Sequence, residues 1–125
     1  MRTRLPADRH APRLARTYVR NHLSEAELPQ DLHVEDVALI ASELVTNAVR
    51  AGAGKVDLEV TATGRRVELT VEDDAGGWPV VMSVDEHATT GRGLSMVEQL
   101  ADALTVTRLP VGKRVTASWV VTASA

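Results

Sequence analysis

Between residues 35 and 50 the apolar side chains Val37, Ile40, Ala41, Leu44, Val45 and Ala48 recur at helical spacing and form one wide apolar face. Gly52 and Gly54 follow, and both can end such a helix, because glycine accepts left-handed backbone angles. An earlier helix is predicted over residues 10–23. There Leu14, Tyr18, Val19 and His22 lie near helical spacing, with Arg13, Arg16 and Arg20 on the wet side and Asp8 as a cap. Pro29 and Asp31 punctuate the turn between the two helices.

From residue 55 the period changes to two. Val56, Leu58 and Val60 share one side of a strand over 55–61; Val67, Leu69 and Val71 do the same against Glu68, Thr70 and Glu72. The short turn at 62–65, with Gly64, favours an antiparallel hairpin with one buried and one solvated face. Two further strands are expected at 104–107 and 114–121, separated by Pro110 and Gly112, and a short first strand at 2–5. Leu94, Met96, Val97 and Leu100 suggest a short helix over 93–100, whereas residues 80–90 have no settled period. The expected fold is an α/β two-layer sandwich: a mixed, largely antiparallel sheet with helices on one face.

Composition narrows this picture. A chain of 125 residues fits one domain, here taken as 1–125. There is no phenylalanine, so Val, Leu, Ala and Ile must build the core. The absence of cysteine removes disulfides and thiolate metal sites. A net charge of −3, from 14 basic and 17 acidic residues, supplies no positive field for a nucleic-acid backbone. No apolar run suits a secretory signal or a membrane helix, so no membrane association is expected and the cytoplasm is the default location.

Three segments carry candidate chemistry. Glu43 and Asn47 lie four apart on the second helix, beside its apolar stripe. The amide of Asn47 suits a magnesium ion that keeps several waters, and Glu43 can hold or deprotonate a water. On spacing alone an ordinary solvated helix face is the favoured account of the pair. Next, Glu72-Asp73-Asp74-Ala75-Gly76-Gly77 brings acids to a strand end, followed by glycines that let a backbone approach a ligand; an Asp-rich turn is the alternative. Third, Thr90-Gly91-Arg92-Gly93-Leu94 precedes a helix, where backbone amides bind anions and Arg92 can reach a terminal phosphate. The dinucleotide pattern is incomplete, and there is no Gly-Lys-Ser or Gly-Lys-Thr phosphate loop. His10, His22, His33 and His87 lack metal-ligand spacing, and Lys113 is expected to be solvated in the last turn.

In this order the three segments resemble the histidine-kinase-like, or GHKL, ATPase fold. The likeness is strongest to the small stand-alone anti-sigma factors of the serine-kinase type. Glu43 to Arg50 is similar to their N box, Asp73 to Gly77 to their first glycine box, and Gly91-Arg92-Gly93-Leu94 to their second. The resemblance implies ATP and Mg2+ as cofactors, with Glu43 as general base and Asn47 on the metal. Asp73 would read the adenine amino group, and Gly91 and Gly93 would wrap the phosphates. Arg92 would assist transfer. Arg50, Gly77, Thr90, Leu94 and Thr116 complete the implied nucleotide-contacting set. The implied activity is phosphorylation of a serine on an anti-sigma antagonist. A sigma factor is the implied second partner, and a homodimer through the first strand and helix is plausible. Two positions depart from the pattern: Ala51 replaces a frequent histidine, and Ala75 replaces the first glycine of the first box. The alternative is therefore a nucleotide-binding regulatory module that holds a partner and transfers nothing.

Overall fold

A computed structural model describes residues 2–24, 32–64, 66–75 and 101–120. In chain order the elements are β1 (Arg2–Leu5), α1 (Ala11–Leu23), α2 (Val34–Arg50), β2 (Val56–Thr63), β3 (Arg66–Asp73), β4 (Ala103–Arg108) and β5 (Lys113–Val120). The strands form one sheet in the order β1-β2-β3-β5-β4. The four pairings that join them are all antiparallel. The helix expected at 93–100 lies outside the described residues.

The period-two pattern decides which face of the sheet is buried. Val56, Leu58 and Val60 of β2, Val67, Leu69 and Val71 of β3, and Val115, Ala117 and Trp119 of β5 turn inward to one core. The opposite face is polar: Arg4 pairs with Asp57 at 2.8 Å, and Glu72 accepts from Arg2 at 2.7 Å and Arg114 at 2.9 Å. An α/β two-layer sandwich results, with both helices covering the apolar side of the sheet.

Helix α2 buries the face that its sequence marks, from Val37 through Ala48, and adds Ala38 and Ser42 to it. It ends in a Schellman motif. Gly52, at φ +87°, donates to the Val49 carbonyl at 3.0 Å, and Ala53 donates to Ala48 at 3.2 Å. Gly52 alone supplies the left-handed residue. Gly54 plays no part in the cap; its N–H is held elsewhere, by Asp74.

Two expectations for α1 change. Asp8 is not the N-cap; it lies two residues earlier, and its carboxylate accepts from the His10 N–H at 2.8 Å in the turn that leads in. The buried stripe is Ala11, Ala15, Val19 and Leu23, spaced four apart, while Leu14 is 39% exposed. Small side chains let α1 lie close against α2, and that contact overrides the larger but misplaced Leu14. Tyr18 and His22 remain at the margin, stacked with ring centroids 5.5 Å apart. Among the described residues no helix is long and apolar enough to cross a membrane.

Candidate functional site

Three consecutive acids close β3, and the pleat sends them in different directions. Glu72 faces the outer side of the sheet, where two arginines hold it. Asp73 faces the helix side and is buried. Asp74, just past the strand, reaches back to the start of β2 and accepts the N–H groups of Gly54 at 2.7 Å and Lys55 at 2.8 Å through one oxygen. The Lys55 amide, joined by that of Gly54, draws the Asp74 carboxyl below the usual carboxylate range. Asp74 therefore pins the connection between α2 and β2, and Asp73 is the acid presented inward.

Asp73 is not left alone there. Its Oδ1 accepts from the Ala75 N–H at 2.9 Å, and its Oδ2 accepts from Lys113 Nζ at 2.5 Å. The two side chains are 1% and 6% exposed. The Lys113 expectation thus needs correction. It is not solvated in the turn; it is the first residue of β5 and pairs in register with Asp73, so both side chains emerge on the same face. The turn before it, Leu109 to Gly112, is closed by a 3.0 Å bond from the Leu109 N–H to the Gly112 carbonyl. Gly112, at φ +86°, lies so close to the Asp73 backbone that a Cβ would stand 1.7 Å from the Asp73 carbonyl oxygen.

The residue after Asp74 bears on one departure from the glycine-box pattern. No non-glycine residue among those described has positive φ, so Ala75 needs no glycine conformation. It is buried and uses its N–H to hold Asp73.

Helix α2 reaches the same end of the sheet. It stops at Arg50, and Val56, the first residue of β2, is the register partner of Asp73. The last turns of α2 thus approach the end of the sheet that carries Asp73 and Lys113. Glu43 and Asn47 are half-buried there, one turn apart. The neighbouring hydroxyls are spent on the helix itself: Ser42 Oγ donates to the Leu39 carbonyl at 2.8 Å and Thr46 Oγ1 to that of Ser42 at 2.7 Å. Among the described residues, the Glu43 and Asn47 side chains have no hydrogen-bond partner. An uncommitted amide oxygen next to an uncommitted carboxylate suits a hard cation that keeps waters and phosphate oxygens as its other ligands. No group of three metal-ligating His, Asp or Glu side chains occurs among the described residues. Arg50 is exposed in the last turn of α2, where its charge also complements the helix dipole.

Thr116 is a second correction. On β5 it alternates with Val115 and Ala117, and its Oγ1 lies 3.3 Å from that of Thr70 on the outer face. It sits on the side of the sheet away from Asp73, because one step along a strand reverses the face. Gly77, Thr90, Gly91, Arg92, Gly93 and Leu94 lie outside the described residues.

The family model of the histidine kinase-like ATPase domain matches residues 5–119. The chain belongs to this family. Among solved structures, the histidine kinase-like fold recurs in the RsbU and RsbW domains of Rv1364c from Mycobacterium tuberculosis. That chain superposes with a TM-score of 0.71 at 21% identity, covering 95% of this chain and 31% of that one. The histidine kinase domain of the blue-light activated kinase EL346 from Erythrobacter litoralis gives 0.57 at 22% identity, covering 87% and 58%. At those identities the likeness is one of fold. Curated relatives include the DNA mismatch repair protein MutL of Rhodopseudomonas palustris (strain BisB5), 42% identical over 60 residues. MutL of Bradyrhizobium sp. (strain ORS 278) is 38% identical over 60. Each alignment covers 46% of this chain and 10% of the relative, so the chain spans about a tenth of their length.

Proposed function

We propose that this domain binds ATP with Mg2+ and acts as a regulatory protein-serine/threonine kinase of the anti-sigma type. The observation that carries the reading is the pairing of two kinds of polar group at one end of the sheet. Asp73 is buried and held by two hydrogen bonds, whereas Glu43 and Asn47 are half-buried and have no side-chain partner among the described residues. The first suits recognition of a base, and the second suits work on a phosphate chain.

In this reading Asp73 accepts the adenine amino group through a lone pair left free by Lys113 and Ala75. Asn47 holds the metal, and Glu43 takes the proton of an incoming serine hydroxyl, directly or through a water. Magnesium, when bound, would neutralise charge on the β- and γ-phosphates. Arg50 lies within the N box. Gly77 and the segment Thr90, Gly91, Arg92, Gly93 and Leu94 belong to the proposed phosphate-wrapping loops, with Arg92 on the transferring group. The proposed partners are an anti-sigma antagonist as substrate and a sigma factor. A homodimer through β1 and α1 fits the same reading, since β1 is an outer strand of the sheet.

The second reading is a nucleotide-binding module without transfer. Ala51 favours it, standing exposed at the C-cap of α2 where the family pattern often has histidine. Ala75 favours it as well, since it stands where the family pattern has a glycine, although its backbone conformation is one that alanine adopts without strain.

A phosphotransfer assay with γ-labelled ATP and a cognate antagonist separates the two. Glu43→Gln is expected to lower transfer by about 100-fold or more while ATP affinity stays within about threefold. Asn47→Ala should weaken Mg2+-dependent binding as well. A wild type that binds ATP and a sigma factor but transfers nothing to any antagonist leaves the binding module as the reading. A wild type that binds no nucleotide refutes both.

A further inference from the structure

Lys113 is a buried ammonium with more donors than partners among the described residues. It carries three N–H donors, and among the described residues one acceptor, Asp73 Oδ2, receives a hydrogen bond from it. Its side chain is 6% exposed, so bulk water does not freely serve the remaining donors. Leaving a buried donor unserved is costly, and a charged one more so. Asp73 has the complementary surplus. Each of its oxygens accepts one bond, from Ala75 or Lys113, and a carboxylate offers about four acceptor sites. The strand register puts the two groups side by side on the helix-facing side, and Gly112 fixes the turn that delivers Lys113.

A donor beside an acceptor complements an acceptor beside a donor. The Watson–Crick edge of adenine has that form, with N1 accepting and the 6-amino group donating. We infer that Lys113 is a second base-reading residue, donating from Nζ to adenine N1 while Asp73 accepts from the 6-amino group. This inference rests on the ATP reading and adds a contact to it. The pair is neutral as a whole, so it can stay buried when no base is bound. It is also held before binding by the Ala75 N–H and the Gly112 turn, which lowers the ordering cost of recognition.

The test compares ATP with 1-deaza-ATP and 7-deaza-ATP on the wild-type chain by calorimetry. The first analogue replaces N1 by C–H and keeps the amino group; the second leaves the Watson–Crick edge intact. We expect 1-deaza-ATP to bind at least tenfold more weakly than ATP, a difference of about 1.4 kcal/mol. 7-Deaza-ATP should bind within about threefold of ATP. Lys113→Met, if its circular dichroism and melting show a folded chain, should bind ATP and 1-deaza-ATP equally. Lys113→Arg, which keeps the charge and donors, should restore part of the discrimination. A merely structural lysine would not move that ratio. Equal affinity of wild type for ATP and 1-deaza-ATP overturns the role of Lys113 and leaves ATP binding standing. Equal losses with both deaza analogues also overturn it. If wild type binds no ATP, the ATP reading falls and this inference with it.

Discussion

Replacing Gly112 by alanine tests whether the last turn really positions the buried pair. Gly112 and Gly52 have nearly the same backbone angle, φ +86° and +87°. They differ in their surroundings. A Cβ at Gly52 meets nothing within 4 Å, whereas one at Gly112 would stand 1.7 Å from the Asp73 carbonyl oxygen and 2.7 Å from Asp74 Cα. For Gly52→Ala the left-handed conformation costs about 1–2 kcal/mol, offset by about 0.4–1 kcal/mol from a less flexible unfolded chain. A net loss of about 1 kcal/mol is expected there. Gly112→Ala carries the same conformational cost, and its turn must also retreat by roughly 1.5 Å to relieve the overlap. That movement draws Lys113 away from Asp73, and disrupting a buried ion pair costs about 3–5 kcal/mol. The expected loss is thus at least about 3 kcal/mol beyond that of Gly52→Ala, a large share of a typical domain's 5–15 kcal/mol. Urea denaturation followed by circular dichroism measures both variants on one scale. If the two lose the same stability to within about 1 kcal/mol, the close approach does not exist in solution and the reasoning fails.

Two further outcomes follow from the fold. Leu58→Ala, at a fully buried β2 position, should cost about 2–5 kcal/mol, while Leu14→Ala on the exposed side of α1 should cost well under 1 kcal/mol; thermal and urea melts decide. Asp74 has its native pKa lowered, so its stabilising effect is present above the unfolded carboxyl's value near pH 4 and is lost as pH falls through the native value. Asp74→Asn should therefore reduce the drop in urea midpoint between pH 6 and pH 3, and an unchanged drop would remove Asp74 as a contributor.

The elements were legible wherever one periodicity ruled a long segment. The apolar face of α2 and the alternation of β2 and β3 read directly into burial, because packing against a single core asks for those periods. Helix α1 was legible as a helix but not in its orientation. Its apolar positions are few, and close packing against α2 selects Ala11 and Ala15 over Leu14. The acids at 72–74 were visible as a cluster, but their separate directions depend on the pleat and on where β3 ends. Lys113 was invisible for a related reason. A lysine after Pro110 and Gly112 reads as a turn residue, and only the β3–β5 register sets it opposite Asp73. Thr116 failed by the same rule, since its place two strands away in sequence says nothing of which face it takes until the register is known.

The site thus divides between two kinds of support, and the division has consequences for how it can be perturbed. Asp73 and Lys113 belong to the sheet itself. Their geometry is set by register, by Gly112 and by the Ala75 N–H, and removing either strands a buried charge. Substitutions there must lower stability and, under the proposed reading, base recognition with it. Glu43 and Asn47 project from a helix whose burial is secured by other residues, from Val37 to Ala48. Nothing among the described residues depends on them for a hydrogen bond. Changes at those two positions should leave folding nearly untouched and, under the proposed reading, act on Mg2+-dependent nucleotide binding and on transfer. Under the proposed reading, a rigid pair built into the sheet would recognise the base with little ordering cost of its own, while helix side chains without structural duty among the described residues would stay available for the phosphate chain.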